Sequence, residues 1–593
     1  MLSTHEVFNQ STPFTDVNLF TSNRPLQDAL AHHHPGFDRD RFEALGALCG
    51  SAEMQAHARL ANTQGPRLLT HDRFGRRVDQ VEFHPSYHAL LEAACGAHLH
   101  GSPWAEGPGA HIERAAAFML FTELEPSVLC PVSMTYAVAP SLRANPAVQA
   151  AFGPGLVSPR YDPRFMPHAA KLGLTMGMGM TEKQGGSDVR ANTTRAEFDG
   201  EDAWGMRYRL TGHKWFFSAP MCDAFLVLAQ VTQVVEASGA GASGGGLSCF
   251  FLPRWRPDGS VNPLHIQRLK HKLGNHANAS SEVEFEGTHA WLVGEEGRGV
   301  PQILAMGALT RLDCALGTAG LMRQALTLAL HHTAQRHAFG KPLIDQPLMK
   351  AVLADMALES EAATALALRL AAAVDHTENA SPQGLPSPVG GPREPPRPLG
   401  PLGAARGRTV DLAHEAVMRR LLTPVAKFWV CKRGSLFAQE AMECLGGNGY
   451  VEEQGEGVMA RIYREMPLNS IWEGAGNIMA MDLLRALRGH DVAASIEHEC
   501  ASAGGAHPAF ERARDRVLLA VDQGVDEVQA RLLARDLAVL LQAAQLRQHA
   551  PTEVFDAFCT SRLSGGADAF GMMPSGLPLQ ALIQRASPSQ GLS

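Results

Sequence analysis

Glu473 is the residue whose surroundings are most typical of a catalytic base. It lies in the stretch NSIWEGAGNI (469–478), directly after Trp472 and before a run of small residues. Most carboxylates in such loops are simply hydrated. A carboxylate packed beside an indole ring is partly desolvated instead, which raises its pKa toward the value that a general base needs. Asn477 is a favourable N-cap for an apolar helix that begins at Ile478.

The stretch MTEKQGGSDVRANTT (180–194) is a candidate for contacts with a polar ring or a phosphate. It follows an apolar run and brings Thr181, Gly186 and Ser187 together with other turn-forming residues. Gly, Ser and Asp form ordinary surface turns, so a turn without a ligand also explains this composition. Hydroxyls and backbone amides beside two glycines can alternatively hold an anion.

Three further stretches are weak signals when each is taken alone. GHKWFFSAP (212–220) ends a strand pattern, and its aromatic residues are explained by core packing. QRHAFGKPL (335–343) closes a long helix with an arginine and an aromatic residue before a glycine, as a C-terminal cap does. ECLGGNGY (443–450) contains three glycines that let a backbone approach a ligand closely.

The elements that must position these residues change in type along the chain. Residues 1–171 show the apolar spacing of helices and are predicted to form an N-terminal extension and a helical domain. Residues 172–292 contain short β-branched and aromatic runs, which predict an antiparallel sheet or a small barrel. Long apolar helices in 293–490 predict a bundle, and 491–593 is predicted to be a C-terminal helical domain.

Two segments are predicted to lie outside these elements. Residues 236–246 (EASGAGASGGG) have the composition of a flexible surface loop. Residues 377–408 contain eight prolines and six glycines, too many to build a core. This second segment is predicted to be a disordered insert between two bundle helices.

The overall composition narrows the class of protein. With 593 residues the chain is long enough for roughly three or four domains. It is 45% hydrophobic and 19% charged, with a net charge of -8, so binding to nucleic acid would need a local basic patch. The ten cysteines show no metal-ligand spacing, which favours reduced thiols in the cytoplasm and no metal site. We find no signal peptide pattern and no apolar run long enough to span a membrane.

Taken together and in this order, the five stretches resemble those of the acyl-CoA dehydrogenase flavoproteins. MTEKQGGSD resembles the LTEPxAGSD flavin loop of that family, and GHKWFFS resembles its GxKxWIT segment. RHAFG and LGGNGY resemble two segments that reach the FAD of a neighbouring subunit. WEGAGNI resembles the loop that bears the catalytic glutamate. The resemblance covers about residues 60–490.

This resemblance implies an α+β fold that is mainly α. A helical domain, a β-barrel-like domain and a helical bundle would enclose FAD and an acyl thioester, with an extra C-terminal helical domain. The variants MTEKQGGSD, KLGNHANASSEVEF and REMPLNSIWEG are similar to those of the AidB-type alkylation-response group. That group is associated with FAD, double-stranded DNA binding and weak acyl-CoA dehydrogenase activity. The resemblance therefore also implies a cytoplasmic homotetramer that acts on an acyl-CoA-like substrate.

The resemblance assigns Glu473 as the base that removes the α-proton while a β-hydride passes to the flavin. Some relatives place the base before an arginine on a bundle helix, but the matching position here is Thr310, which leaves Glu473 without a local rival. Arg336 would meet the FAD pyrophosphate of a partner subunit. The expected cofactor contacts are Met178, Gly179, Met180, Thr181, Gly186, Ser187, Phe216, Phe217, Ser218, Arg336, Phe339, Gly446, Gly447, Ile471, Trp472, Gly474 and Asn477.

Three positions depart from the family pattern. Lys183 replaces a proline, Phe216 replaces the flavin-facing tryptophan, and Ala475 replaces the threonine after Glu-Gly. The loss of the hydroxyl at position 475 removes one contact to flavin or substrate. These changes bear on the efficiency of acyl-CoA turnover more than on FAD binding.

The alternative hypothesis is a flavoprotein that binds DNA without sequence specificity and has little or no acyl-CoA turnover. In the AidB group the added C-terminal domain is the DNA-binding part. Here residues 491–593 contain eight arginines, no lysine and twelve acidic residues, a net charge of -4 that disfavours phosphate binding. Ordinary solvated helix faces explain this pattern equally well. The candidate DNA contacts are Arg512, Arg514, Arg516, Arg531 and Arg535. The HHH run at 32–34 lacks ligand spacing and is predicted to lie on the surface.

Overall fold

The structure is a computed structural model that describes residues 4–232, 245–380, 410–455, 457–489, 491–565 and 568–588. Most of the predicted flexible loop at 236–246 and most of the predicted insert at 377–408 lie outside the described residues. The first residues of that insert, 377–379, instead complete a long helix that ends at Asn379.

The N-terminal part is helical apart from one hairpin. Its helices often begin at a side chain that accepts a main-chain hydrogen bond, as Asp38 and Ser51 do for the second and third helices. The hairpin was not predicted. The helices are α1 (Arg24–His33), α2 (Arg39–Gly50), α3 (Ala52–Thr63), α4 (Pro85–Gly96), α5 (Ala110–Leu124), α6 (Leu129–Ala137), α7 (Ala139–Leu142) and α8 (Pro146–Leu156), and the hairpin is β1 (Arg67–His71) and β2 (Arg77–Glu82).

A closed sheet follows. GHKWFFS (212–218) forms the end of one of its strands, and the 180–194 stretch connects two others. Its strands are β3 (Met176–Gly179), β4 (Arg195–Asp202), β5 (Gly205–Ser218), β6 (Ala224–Val231), β7 (Gly246–Pro253), β8 (His265–Leu269) and β9 (Ser280–Val293). The strand order is β3-β6-β4-β5-β9-β7, with β8 beside β9. Because β6 also pairs with β7, the sheet closes as a barrel. Most pairs are antiparallel as predicted, but β6 pairs in parallel with β3 and β4.

The helical bundle is built from three long helices with buried apolar surfaces on most sides. They are α9 (Gly299–Gln335), α10 (Pro347–Asn379) and α11 (Leu412–Cys444), and α11 continues through Pro424. Between α9 and α10 lies a small hairpin of β10 (His337–Ala338) and β11 (Lys341–Pro342). The bundle is completed by α12 (Gly447–Tyr450), α13 (Val458–Glu465) and α14 (Gly476–Ala486).

The C-terminal helices are joined to the bundle by a buried ion cluster. Arg369 of α10 donates to Glu415 of α11 at 2.8 Å and to Glu499 of the first C-terminal helix at 2.7 Å. Since all three side chains are buried, this cluster holds the C-terminal helices against the bundle. These helices are α15 (Val492–Cys500), α16 (Pro508–Gln523), α17 (Ala530–His549), α18 (Thr552–Phe558) and α19 (Leu579–Ala586).

The prediction that the HHH run lies on the surface is wrong. His32 and His33 belong to α1, and their rings lie 5.7 and 6.4 Å from the ring of His549 on α17. Burial lowers the pKa of His33 well below its ordinary value and lowers that of His549 to about 3. The physical reason is that α1 extends through His33 and packs against α17, whereas the sequence suggested a loop bounded by Pro35.

The described residues contain neither a membrane-spanning helix nor a group of metal ligands. No helix among these residues is both long and apolar enough to cross a membrane. Within the same ranges, no group of three or more His, Cys, Asp or Glu residues could hold a metal ion. All ten cysteines are buried and free.

Candidate functional site

The loop that carries Glu473 is held by cations from two bundle helices. Lys427 of α11 donates to the main-chain oxygens of Trp472 at 2.8 Å and Gly474 at 2.5 Å. Arg311 of α9 donates to the main-chain oxygen of Glu473 at 2.9 Å. Glu473 has a φ of +58°, in the left-handed region that a non-glycine residue rarely adopts. The two cations therefore hold the loop, here defined as residues 471–475, in a strained conformation.

The carboxylate of Glu473 accepts a hydrogen bond from Thr310 at 2.7 Å. Burial raises the pKa of Glu473, while Thr310, Arg311 and Lys427 oppose that rise. Thr310 is the position at which some relatives carry the base, and here its hydroxyl contacts the carboxylate. Trp472 is half-buried, and its indole N–H donates to Asn469 at 3.0 Å.

The loop at 180–194 is anchored by an ion pair inside the barrel. Lys214 of β5 donates to Glu182 at 2.8 Å, and neither side chain is exposed to solvent. Glu182 also accepts bonds from the main-chain amides and hydroxyls of Thr193 and Thr194, at 2.6 to 3.2 Å. Burial by itself would raise the pKa of Glu182, but Lys214 and these donors together lower it to about 2.

Because Glu182 is held, the tip of the 180–194 loop has a defined position. Gly185, Gly186 and Ser187 at this tip are exposed. Gly186 must be a glycine, since a Cβ there would lie 2.5 Å from the hydroxyl of Thr181. The main-chain oxygen of Thr181 accepts a bond from Trp215 at 2.8 Å, which joins the loop to β5.

The end of β5 presents both exposed and buried candidates. Phe216 is 52% exposed, whereas Phe217 is fully buried against Phe225, with ring centroids 4.3 Å apart. The hydroxyl of Ser218 lies 3.3 Å from that of Ser280 on β9. Met178 and Gly179 at the end of β3 are buried, while Met180 and Thr181, which follow that strand, are half-buried.

The structure brings the RHAFG and LGGNGY segments into contact with the N-terminal segment. Arg336 donates to the main-chain oxygen of Asn9, and Asn448 donates to Gln10 at 3.0 Å. Phe339 is 98% exposed and has a φ of +51°. Gly446 and Gly447 are exposed as well, so these two segments form an open face of the single chain.

The prediction that Asn477 caps a helix is wrong. Helix α14 begins two residues earlier than predicted, at Gly476, and the cap position is Ala475, which offers no side-chain hydrogen bond. Asn477 is the second residue of the helix and accepts a bond from Arg531 of α17 at 3.3 Å. The physical reason is the turn at Gly474, whose φ of +105° starts the helical path sooner than the sequence pattern suggested. Ile471 is exposed beside this turn.

Most of the C-terminal arginines predicted to contact DNA lie beside acidic residues. Arg514 pairs with Glu511 at 2.7 Å and with Asp515 at 2.8 Å. Asp536 pairs with Arg535 at 2.6 Å and with Arg516 at 3.5 Å. Arg512 and Arg531 are exposed. These carboxylates reduce the positive potential that phosphate binding needs.

The sequence analysis missed three cationic residues that hold the predicted site residues in place. Arg311 and Lys427 hold the main chain of the 471–475 loop, and Lys214 holds Glu182. Lys214 gave one usable signal, since it alternates in register with the apolar Tyr208 and Leu210, and a lysine on a buried strand face implies a buried partner. The partners themselves are far away in the sequence, so no local pattern identifies them.

Unpartnered polar atoms around these segments fit a bound flavin. Among the described residues, the side-chain oxygen of Asn192 and both amide atoms of Asn278 are buried without a hydrogen-bond partner. Asn192 belongs to the 180–194 loop, and Asn278 lies in the loop before β9. Buried groups of this kind normally have partners, so a polar ligand is expected to satisfy them. The exposed ring of Phe216 adds an apolar surface that a planar ligand would cover.

Comparison with known proteins matches three parts of the chain, up to residue 488, to family models. Residues 9–163 match the adaptive response protein AidB N-terminal domain. Residues 177–288 match the acyl-CoA dehydrogenase middle domain. Residues 297–385 and 404–488 match the acyl-CoA dehydrogenase C-terminal domain.

Individual relatives agree with these matches. The chain is 43% identical over 586 residues to AidB of Escherichia coli (strain K12), covering 98% of both chains. It is 28% identical over 447 residues to acyl-CoA dehydrogenase family member 11 of Caenorhabditis elegans, covering 74% of this chain and 65% of that one. The solved structure of Bd2924 in its apo form superimposes with a TM-score of 0.76 at 27% identity, covering 92% of this chain and all of that chain. The predicted fold class, α+β and mainly α, is confirmed.

Proposed function

The chain is an AidB-like protein that belongs to the acyl-CoA dehydrogenase family, and from that premise we propose that Glu473 removes an α-proton from an acyl thioester bound beside FAD. The observation that carries this proposal is the half-buried Glu473, whose main chain and side chain are both held in place. Burial raises its pKa, so the protonated and ionised forms both become accessible closer to neutral pH than for an exposed glutamate.

FAD supplies the hydride acceptor when it is bound. The residues that would hold it are the exposed tip of the 180–194 loop, Phe216 and Ser218 at the end of β5, and the unpartnered amide of Asn278. Each presents a group that a flavin can contact, either an exposed ring, a hydroxyl or an unsatisfied amide. Arg336, Phe339, Gly446 and Gly447 would contact the FAD of a partner subunit.

The start of α14 can stabilise the negative charge that develops on the thioester oxygen. This helix has no side-chain cap, so its first main-chain amides are open to an anion. The positive end of the helix dipole lies at the same place. Loss of one hydrogen-bond donor to such an oxygen typically lowers the rate by roughly 10²–10³.

Anaerobic reduction of the bound flavin by acyl-CoA thioesters tests this function. We expect bleaching of the flavin band with the wild-type protein and none with Glu473→Gln. Glu497→Gln, which changes an exposed glutamate of α15, is the matched control and should bleach normally. A protein that carries FAD but stays oxidised with every thioester, or a Glu473→Gln variant that bleaches at the wild-type rate, would contradict the proposal.

The similarity to AidB over nearly the whole of both chains supports a second proposal, a role in the response to DNA alkylation. In this role the protein would be cytoplasmic and homotetrameric, and it would bind double-stranded DNA through the helices of 491–593. Retention on duplex DNA that weakens with salt, and that Arg512→Ala and Arg531→Ala reduce, would support it. DNA retention that is absent at low salt would refute the DNA-binding part, and light scattering tests the tetramer.

A further inference from the structure

A lysine near the proposed flavin site has no acidic partner. Lys272 lies in the loop between β8 and β9, where its ammonium donates to the main-chain oxygen of Asn278 at 2.6 Å and to the hydroxyl of Ser280 at 3.1 Å. Among the described residues, no carboxylate lies within 4.0 Å of this ammonium. Burial lowers the pKa of Lys272 to about 8, and Cys130 and Glu465 oppose that fall. An ammonium carries three donors, so one donor is left for another group.

The amide of Asn278 beside this lysine is also unsatisfied. Asn278 is 1% exposed, and neither its oxygen nor its nitrogen has a hydrogen-bond partner in the described chain. A buried amide without partners destabilises a protein, so such groups normally meet an ordered water molecule or a ligand. The lysine and the amide together therefore offer positive charge and hydrogen bonds to the same region.

The loop that carries both residues is held rigidly from the other side. Asn275 donates to Glu465 at 2.5 Å from its main chain and at 2.8 Å from its side chain. At Gly274 the loop passes so close to Arg464 that a Cβ would lie 2.5 Å from its main-chain oxygen. Because α13 and the turn after it lead directly to Glu473, the loop and the proposed base share one support.

Lys272 is also connected to the strand that would face the flavin. Ser280, which accepts from Lys272, lies 3.3 Å from Ser218 in the hydroxyl-to-hydroxyl contact between β9 and β5. The thiol of Cys130 lies in the same cluster. Burial raises the pKa of Cys130 to about 12, and Lys272, Ser218 and the side chain of Asn278 act on it in the opposite direction.

We propose that Lys272 and Asn278 form a binding subsite for an oxygen that carries negative charge, next to Ser218. This inference rests on the proposed function, because it places a ligand in the FAD and thioester site. Two oxygens share the required chemistry. One is a carbonyl oxygen of the flavin ring, which gains charge when the flavin is reduced. The other is a carboxylate at the far end of an acyl group.

The test compares Lys272→Met and Asn278→Leu with Lys272→Arg, which keeps the charge. Lys350→Met is the matched control, since it removes a lysine that pairs with Asp345. The first arm measures the reduction potential of the bound flavin against a reference dye without any thioester. The second arm measures the affinities for glutaryl-CoA and pentanoyl-CoA, which have the same chain length and differ in the terminal carboxylate.

Each result either identifies the oxygen that the subsite binds or overturns the inference. A lower flavin potential in Lys272→Met, restored in Lys272→Arg, assigns the flavin oxygen. An unchanged potential with a loss of about ten- to a hundredfold in affinity for glutaryl-CoA alone assigns the substrate carboxylate. If both quantities match those of Lys350→Met, the inference is overturned.

Loss of cofactor in one variant does not block the test. If Lys272→Met loses its FAD, Asn278→Leu decides alone, because it keeps the ammonium and both of its hydrogen bonds to the protein. Absence of FAD from the wild-type protein would contradict the proposed function itself, which keeps the two failures distinct.

Discussion

Removal of one partner of the Glu182–Lys214 ion pair is expected to release the 180–194 loop. The Glu182 carboxylate accepts six hydrogen bonds, of which one comes from Lys214 and the others from Gln184, Thr193 and Thr194. Lys214→Met leaves this carboxylate buried without its counter-charge. Glu182→Gln leaves the ammonium buried and presents an amide N–H₂ to donors that need an acceptor.

The magnitude follows from the complete burial of both groups. Breaking a buried ion pair by removing one partner destabilises proteins by about 3–5 kcal/mol. The double variant carries neither unpaired charge, so its cost should be smaller than the sum of the two single costs, with a coupling of about 2–3 kcal/mol. An exposed ion pair contributes only about 0–1 kcal/mol, which makes Lys350→Met a suitable control.

Hydrogen exchange of the main-chain amides of Thr193 and Thr194 is the assay, because both amides donate to Glu182. A change of 3–5 kcal/mol in local opening corresponds to a loss of protection of roughly a hundred- to a few thousandfold. The FAD content of each purified variant reports whether the tip of the loop still binds the cofactor.

The reasoning would be refuted if the two single variants showed unchanged protection, or if their effects were additive within about 0.5 kcal/mol. The pH dependence gives a second check. Because the pKa of Glu182 is lowered to about 2, its stabilising contribution is present above the ordinary glutamate value and is lost as the pH falls toward 2. In Lys214→Met the same loss of protection should begin at a higher pH.

Three further predictions concern the base and the packing of the C-terminal helices. Thr310→Val removes a hydrogen-bond donor to ionised Glu473, so the pKa of Glu473 should rise further. The acidic limb of the pH profile of flavin reduction should then move to higher pH. Thr310→Ser should keep the wild-type profile. Arg369→Met leaves buried carboxylates between α10, α11 and α15 and should destabilise the C-terminal helices by about 3–5 kcal/mol in denaturant unfolding. Burial lowers the pKa of His33 and His549, so below pH 6.5 the unfolded chain binds more protons than the folded chain. The free energy of unfolding should therefore fall as the pH drops below 6.5. It should fall less in His549→Phe.

Each of these three predictions has an outcome that would contradict it. An unchanged acidic limb in Thr310→Val would mean that the hydroxyl does not act on the carboxylate. A single unfolding transition at the wild-type position in Arg369→Met would show that the ion cluster does not hold the C-terminal helices. An acid-stability profile of His549→Phe identical to that of the wild type would show that the buried histidines do not govern it.

The sequence by itself determined the family and the fold class. The motifs that carry the resemblance are contiguous stretches of five to nine residues, so their order and spacing can be read without coordinates. The pattern of apolar residues likewise predicted the change from helices to strands and back, because that periodicity is local. The predicted domain boundaries at 171, 292 and 490 and the individual cofactor contacts stay predictions.

Only the tertiary structure decided which groups act on the base. Thr310 and Glu473 are 163 residues apart, and Lys427 reaches the main chain of the same loop from a different helix. No local pattern encodes such pairs, since each residue taken alone has the composition of an ordinary helix position. In the sequence, Thr310 only marks a position where some relatives carry the base. In the structure, its hydroxyl donates a hydrogen bond to the carboxylate of Glu473.

The two wrong predictions have the same physical origin. Asn477 has a high propensity for a cap, but the left-handed turn at Gly474 starts the helix before it. The histidines at 32–34 are polar, but α1 packs against α17 and leaves them half-buried, with two of their rings beside His549. In both cases a segment distant in the sequence is involved, because Lys427 of α11 holds the main chain of Gly474 and α17 packs against α1. Local propensities amount to about 1 kcal/mol per residue, and such tertiary contacts outweigh them.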